Sequence, residues 1–296
     1  MYGTAALLIL ALASAHPIDA GYAPAKSAGI GEAAMRHTRA AVAFGPRTPG
    51  SPAMRKFQAY ILEQLRPLGG EITEDAFTAD TPAGRLPMKN IIVRFRGVPG
   101  REAVAITGHY DTKIMPGRFD GANDGAASAG LLLALAREVA YRKRANDVYL
   151  VWFDGEEAVA QWSETDGLYG SRHLARRWDG DGTLRRLKAL INVDMIGDRD
   201  LDITRDGNSS GPLQDLVWRV AREMGYGRHF LDAELYMDDD HVPFASRGVN
   251  VLDLIDFNYG PGNSWWHSPE DTLDKLSAAS LDVVGKVLLT VLYRLE

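Results

Sequence analysis

Residues 148–175 read VYLVWFDGEEAVAQWSETDGLYGSRHLA. This stretch contains a predicted strand and the acidic residues that follow it, and the predictions of fold and chemistry start from it. The first six residues, VYLVWF, are an unbroken run of apolar strand formers, which is typical of a strand buried on both faces of a sheet. The strand ends at Asp154-Gly155, and two adjacent carboxylates, Glu156 and Glu157, follow directly. Ligands of open α/β sheets bind beyond the carboxyl ends of the strands, so this pair indicates a functional edge. A solvated acidic loop is the alternative interpretation of the pair taken alone.

The composition is that of an ordinary globular protein. The 296 residues are 46% hydrophobic and 24% charged, with a formal net charge of −6 and no long basic run, which argues against a nucleic-acid partner. The chain has no cysteine, so it has neither a disulfide framework nor a thiolate metal ligand. Any metal ion must therefore be held by His, Asp and Glu.

The first fifteen residues resemble a secretory signal peptide. Residues 5–13, AALLILALA, form an apolar segment too short to span a bilayer, and Ala13-Ser14-Ala15 is a suitable small-residue cleavage site. The positively charged start of such peptides is missing, and a buried N-terminal helix is the alternative. We expect cleavage before His16, a secreted or periplasmic location and no membrane anchor after cleavage. Residues 16–43 are predicted to form a lead-in, and residues 44–296 the catalytic domain.

Apolar runs and helical periodicities alternate along the rest of the chain. This alternation predicts a single α/β domain with a mixed, mostly parallel central sheet flanked by helices. The predicted strands cover residues 71–79, 88–96, 103–107, 148–153, 189–193, 201–204 and 249–254. One predicted helix starts at Ser51-Pro52, and the others cover residues 125–141, 171–177, 212–224 and 276–295.

Imidazoles and carboxylates recur at the ends of these strands or in the adjoining loops. The set comprises His109 with Asp111, Asp124, Glu156 with Glu157, Asp194 and His267. Each residue alone has a structural interpretation; Asp124, for example, is also a suitable helix cap. Together, at one edge of a sheet, nitrogen and oxygen ligands without sulfur suit Zn²⁺ in an open catalytic site. We therefore predict a zinc-dependent catalytic domain.

Five motifs carry a resemblance to a known family. They are GHYD at 108–111, GANDGA at 121–126, DGEE at 154–157, VDMI at 193–196 and WH at 266–267. In order and content they resemble the successive metal motifs of the co-catalytic zinc aminopeptidase superfamily, which also contains the animal-type glutaminyl cyclases. The resemblance extends from about residue 44 onward.

The two branches imply different metal sites. In the aminopeptidases, Asp124 would bridge two zinc ions, one held also by His109 and Asp194 and the other by Glu157 and His267. In the cyclases, a single zinc would be held by Asp124, Glu157 and His267. We expect one zinc per chain, and the retained His109 and Asp194 leave a second zinc open. In both branches Glu156 would act as general base, with Asp111 orienting His109.

Three features resemble the cyclase branch more than the peptidase branch. Trp162, followed by DGLYGSRHLA at 166–175, would form a wall of the substrate pocket. The loop DDHVPF at 239–244 would place Asp239 in the catalytic hydrogen-bond network, and Trp266 immediately precedes the ligand His267. The alternatives are core packing for the two tryptophans and a solvated acidic loop for residues 238–240.

The cyclase interpretation implies a defined reaction on the N-termini of peptides or proteins. Zinc would act as a Lewis acid on the γ-carboxamide of an N-terminal glutamine, while Glu156 takes a proton from the α-ammonium group and returns it to the leaving ammonia. Asp194 and Asp239 would stabilise the transferred charge, and Trp162 and Trp266 would exclude water. In an aminopeptidase, Glu156 would instead activate water for attack on a peptide carbonyl.

The sequence also departs from the animal cyclases. Asp253 occupies a position where they carry histidine, and their cysteine pair is absent. A third hypothesis, a non-catalytic secreted binding domain, is disfavoured because Glu156 and all five metal-ligand candidates are retained.

Overall fold

The computed structural model describes residues 29–296 and is built around a six-stranded mixed sheet with the order β1-β2-β4-β3-β5-β8. The strands are β1 Glu71–Thr81, β2 Gly84–Phe95, β3 Ala103–His109, β4 Asp147–Phe153, β5 Leu187–Asp194, β6 Ile203–Asp206, β7 Phe230–Leu235 and β8 Val251–Ile255. Strands β3, β4, β5 and β8 run parallel, whereas β1 and β2 form an antiparallel hairpin at one side; β6 and β7 pair separately. The predicted α/β class and mixed sheet are confirmed.

Helices cover both faces of the sheet. They are α1 Ile30–Ala43, α2 Pro52–Leu65, α3 Ala126–Ala140, α4 Tyr169–Asp181, α5 Gly211–Glu223, α6 Val242–Ala245 and α7 Ala278–Arg294. Alternate residues of β4 point to opposite sides: Leu150 and Trp152 pack in the core with α1, α2, α3, α5 and α7, while Val151 and Phe153 pack with α4 and α6. The run VYLVWF is fully apolar because both of its faces are buried.

Residues 30–43 are a folded part of the domain. Residues 30–43, predicted as the second half of a lead-in, form α1, which packs against α3 and α7. The backbones approach closely at Gly130 of α3, where a Cβ would lie 2.4 Å from Thr38 Oγ1 of α1. The predicted boundary at residue 44 is therefore not a boundary of the fold. The predicted signal peptide, residues 1–15, and the first part of the lead-in lie outside the described residues.

The order of the parallel strands positions the site. Strand β3 lies between β4 and β5, so the carboxyl ends of the three strands are neighbours on one edge. Loops leaving this edge carry most of the predicted ligands. Within residues 29–296, none of the helices combines the length and the apolar character needed to cross a membrane.

Candidate metal centre and active site

Two groups of potential metal ligands lie at the carboxyl edge of the sheet, and they share Asp124. One group is Asp124, Glu157 and His267; the other is His109, Asp124 and Asp194. Within each group the ligand atoms lie within 4.8 Å of one another. Residues separated by up to 143 positions in the sequence (267 − 124) thus converge on one point. The structure brings together all five ligand candidates named from the sequence.

The first group has the donor set of a zinc site. Nε2 of His267 lies 3.1 Å from Oε1 of Glu157 and 3.3 Å from Oδ2 of Asp124, and this Oδ2 is buried without a hydrogen-bond partner. Burial alone would lower the pKa of His267, but Asp124 and Glu157 raise it to about 9. A cation among these atoms would relieve the two buried carboxylates, so the residues fit a zinc ion with one nitrogen and two oxygen ligands.

The second group has similar geometry. Nε2 of His109 lies 3.0 Å from Oδ1 of Asp194 and 3.2 Å from Oδ1 of Asp124. On the other side of the ring, Nδ1 lies 3.4 Å from Oδ1 of Asp111. This contact is the one expected of a residue that orients a ligand imidazole. The geometry suits either a second metal ion or a hydrogen-bonded His109 beside a single one.

A buried aspartate holds the loop that carries Asp124 through its backbone amides. Asp271, which the sequence analysis missed, accepts hydrogen bonds from the amides of Asn123 at 2.8 Å and Asp124 at 3.2 Å. The Tyr259 hydroxyl donates to the same carboxylate at 2.7 Å. Burial raises the pKa of Asp271 to about 7, with a further contribution from Asp124. Nothing in the local pattern around Asp271 indicates this role, because the two amides that it holds are 148 and 147 residues away in the sequence.

Glu156 lies beside both ligand groups but belongs to neither. Its Oε2 is 3.9 Å from Nδ1 of His109, and the residue is 9% exposed. Burial raises the pKa of Glu156 well above its usual range; His109 opposes this shift, and Glu157 and Asp239 add to it. A buried carboxyl group with a raised pKa next to a metal centre is suited to accept and return a proton.

A cavity of about 300 Å³ opens directly above these residues. Two tryptophans form part of its wall, Trp162 and Trp266, each 37% exposed. The ring of Trp266 stacks on His267 with centroids 3.9 Å apart, and the indole Nε1 of Trp162 donates to Oδ2 of Asp238 at 3.1 Å. Both rings therefore face the cavity, and a simple core-packing role does not describe them. The volume suits a small side chain.

The acidic loop is largely buried. Asp239 and Asp240 are 4% and 0% exposed, so a solvated acidic loop, one of the two interpretations of residues 238–240, holds only for Asp238. Burial raises the pKa of Asp239 to about 6, with a further contribution from Asp194. Asp239 lines the active-site cavity together with Asp194.

One carboxylate holds both ends of this loop. Asp206, at the end of β6, accepts a hydrogen bond from the amide of Met237 at 2.9 Å, and its Oδ2 lies 3.0 Å from Nε2 of His241. Its Oδ2 also accepts a hydrogen bond from Ser209 Oγ at 2.6 Å. Sequence analysis did not identify Asp206, because a turn aspartate followed by glycine is ordinary. Its role depends on residues 31 and 35 positions later in the chain.

Asp253 lies beneath the acidic residues of the site. It is fully buried, its Oδ1 accepts a hydrogen bond from Asn192 Nδ2 at 3.2 Å, and its Oδ2 lies 4.0 Å from Nδ1 of His241. Burial raises the pKa of Asp253 well above its usual range, with further contributions from Asp239 and Asp194. Asp253 thus places a further carboxyl group next to Asp239 and Asp194.

Two of the four non-glycine residues with positive φ in residues 29–296 lie at the site. Met195, directly after Asp194, has φ of 51°, and His267 has φ of 47°. Left-handed conformations of such residues cost roughly 1–3 kcal/mol each and persist where the surrounding structure imposes them. His267 is itself one of the potential metal ligands, and Met195 directly follows another, Asp194.

With this geometry established, comparison with known proteins identifies the class. The model of peptidase family M28 matches residues 90–292, and the chain belongs to this family. Among its relatives is the glutaminyl-peptide cyclotransferase of Drosophila melanogaster, 30% identical over 82% of this chain and 75% of the relative. The superfamily resemblance predicted from the five motifs is confirmed.

Solved structures agree in fold. An Acidobacteriales bacterium glutaminyl cyclase is 40% identical, with a TM-score of 0.87 over 93% of this chain and 99% of that one. A Zn-dependent exopeptidase from Parabacteroides distasonis has a TM-score of 0.80 over 89% and 97% of the two chains, at 24% identity, and shows a shared fold. The relatives thus include both animal and bacterial proteins.

Proposed function

We propose that this protein is a zinc-dependent glutaminyl-peptide cyclotransferase, which converts the N-terminal glutamine of peptides or proteins to pyroglutamate and releases ammonia. The observation that carries the proposal is the tryptophan-walled cavity above three converging zinc ligands, with the unligated carboxyl group of Glu156 at its base. Relatives named glutaminyl-peptide cyclotransferase or glutaminyl cyclase support it. We also propose that the protein acts outside the cytoplasm, secreted or periplasmic, on the basis of residues 1–15.

Asp124, Glu157 and His267 would hold the zinc ion, one per chain. When bound, zinc supplies Lewis acidity toward the γ-carboxamide oxygen of the substrate. The attacking amine and the carbonyl carbon belong to the same residue, so a pocket that folds the side chain back gains the entropic advantage of an intramolecular reaction. Trp162 and Trp266 are placed to enforce this conformation and to exclude the water that would hydrolyse the amide.

Proton transfer would fall to the acidic side chains. Glu156 accepts a proton from the α-ammonium group, which frees the amine, and returns the proton to the nitrogen that leaves as ammonia. Asp194 and Asp239 line the same cavity and stabilise the charge that moves during this exchange. Their environment supports this role, because burial raises the pKa of both carboxyl groups.

An aminopeptidase is the second candidate function. It is favoured by one specific observation, namely the second ligand group of His109, Asp124 and Asp194. In that case a metal pair is expected, and Glu156 would take a proton from water during hydrolysis of an N-terminal peptide bond.

One experiment distinguishes the two functions: the purified protein is incubated with a glutaminyl peptide and, in parallel, with a leucyl anilide. A cyclase releases ammonia from the glutaminyl peptide without peptide-bond cleavage. Release of the arylamine from the leucyl substrate, together with two zinc ions per chain, would overturn the proposal in favour of the aminopeptidase.

A further inference from the structure

A second groove, of about 660 Å³, lies next to the active-site cavity. Its walls are α4, α6, the end of the β1–β2 hairpin and the loop that joins β4 to α4. Asp238 lines both the groove and the cavity, and it accepts the hydrogen bond of Trp162. The Trp162–Asp238 pair therefore forms the boundary between the two spaces. A peptide whose first residue occupies the cavity can extend over this boundary into the groove.

Cations dominate the helical walls of the groove. They are Arg172 and Arg176 on α4 and Arg247 directly after α6. Among the described residues, no carboxylate lies within ion-pair distance of Arg172 or Arg176, and the one beside Arg247, Asp179, is 4.0 Å away. Arg172 donates instead to the carbonyl of Glu164, and Arg247 to the carbonyl of Pro243 at 2.7 Å. Arg172 and Arg176 thus keep their charge available to a ligand, and Arg247 has only the long contact with Asp179.

The acidic residues of the groove lie elsewhere. Asp238 is at the boundary with the cavity, Glu164 is on the loop two residues after Trp162, and Asp80 on the hairpin is paired with Arg85 at 3.5 Å. Helix α4 follows the loop that leaves the carboxyl edge of β4, so it runs away from the catalytic residues. Arg176 lies one turn after Arg172, roughly 6 Å further along the helix. The two arginines of α4 therefore lie on a wall of the groove that leads away from the cavity.

From this arrangement we propose that the groove binds the substrate residues that follow the N-terminal glutamine, and that the arginines of α4 and α6 select peptides with an acidic side chain beyond the second residue. This inference rests on the proposed function. The occupant is the extended substrate itself, because the groove adjoins the cavity at Asp238, which lines both. Complementary charge then favours Asp or Glu over neutral and basic residues.

Matched hexapeptides that begin with glutamine test the proposal, with Glu, Ala or Lys at the third, fourth or fifth position and Ala elsewhere. Partly exposed ion pairs contribute roughly 0.2–1 kcal/mol each, so we expect kcat/KM to be about 2–5-fold higher for Glu than for Ala at the best position, and lower again for Lys. The preference should weaken at high salt, because the pairs are accessible to solvent.

Two charge-reversal variants sharpen the test. Arg176→Glu should invert the ratio of kcat/KM between the Glu and the Lys peptides. Arg219→Glu changes the net charge equally but is at an exposed position of α5 outside the groove, so it should keep the wild-type ratio. Each rate is divided by the rate of glutamine amide with the same preparation, which corrects for the active fraction.

Glutamine amide also separates the two ways of failing, because it is too short to reach the groove. If the wild-type protein does not release ammonia from glutamine amide or from any peptide, the proposed function is wrong. If it turns over glutamine amide but treats the Glu, Ala and Lys peptides equally, or if Arg176→Glu leaves their ratio unchanged, the selection by the groove is wrong and the cyclase proposal stands.

Discussion

The carboxylate of Asp111 accepts a hydrogen bond from the backbone amide of Glu156 at 3.1 Å. The other oxygen of Asp111 accepts from the amide of Glu157 at 3.3 Å, and Oδ1 also lies 3.4 Å from Nδ1 of His109. One buried side chain thus contacts the proposed general base, a zinc-ligand candidate and the imidazole of the second ligand group. The β3 and β4 loops are held together at the point where the chemistry is expected.

Glu156→Gln removes the proposed proton carrier without changing the size of the side chain. Loss of a general base costs roughly 10²–10⁴-fold in rate, and we expect this loss in kcat for ammonia release while zinc stays bound. Ammonia release and zinc content are measured on the same preparation. Glu63→Gln, an exposed position on α2, is the matched control. Near-normal turnover of Glu156→Gln would show that another group carries the proton.

His267→Ala and Glu157→Ala should each remove zinc and activity together, because each takes away one of three ligands. His109→Ala is the informative comparison. If a single zinc is held by Asp124, Glu157 and His267, this variant should keep its zinc count. A fall from two zinc ions to one in His109→Ala, measured by elemental analysis, would instead establish the second metal site.

Trp162→Ala should raise KM for glutaminyl substrates more than it lowers kcat, because the indole forms a wall of the cavity and takes no proton. An aromatic contact contributes roughly 0.5–1.5 kcal/mol, which corresponds to about a 2–13-fold change in KM. Trp162→Phe keeps an aromatic face but lacks the hydrogen bond to Asp238, so its KM should lie between those of the wild-type protein and Trp162→Ala. Tyr141→Ala, 77% exposed, is the control. An unchanged KM for Trp162→Ala would contradict the wall assignment.

Asp206→Ala should lower kcat while zinc is retained, because Asp206 holds the amide of Met237 and the ring of His241 at the two ends of the loop that carries Asp239. Leaving buried polar groups without partners costs roughly 1–3 kcal/mol, so the free energy of unfolding should fall by a similar amount. Asp215→Ala, at an exposed position of α5, is the control. Chemical denaturation and single-turnover kinetics measure the two effects; full kcat in Asp206→Ala would refute the positioning role.

Stability should depend on pH through Asp256, which belongs to neither ligand group. Burial raises its pKa from 3.8 to about 6, with further contributions from Asp198 and Asp202. Between these two pKa values the folded state binds more protons than the unfolded state, so the free energy of unfolding falls as the pH rises from about 4 to about 6. Asp256→Asn should remove this contribution, which urea denaturation at pH 4.5 and pH 7 measures. Identical pH slopes for both proteins would contradict the assignment.

Much of the fold follows from local pattern. Strand β4 is buried on both faces and therefore has no polar alternation, and Ser51, which precedes Pro52, caps α2 by accepting from the amide of Met54 at 3.0 Å. The helix α1 was missed because its apolar residues contact α3 and α7 rather than their sequence neighbours. Its packing depends on the close approach at Gly130, which a local window does not reveal.

The sequence by itself determined which residue types stand after each strand, and hence the ligand candidates Asp124, Glu157, His267, His109 and Asp194 and the general-base candidate Glu156. These motifs can be recognised from the sequence because each lies at the end of a strand or in a loop near the same edge of the sheet. Only the tertiary structure decided which aspartates are buried, that Asp206 and Asp271 hold the site loops, and that Trp162 meets Asp238 between cavity and groove. These features depend on contacts across 31 to 148 residues, and such contacts form only when the sheet and its helices have packed.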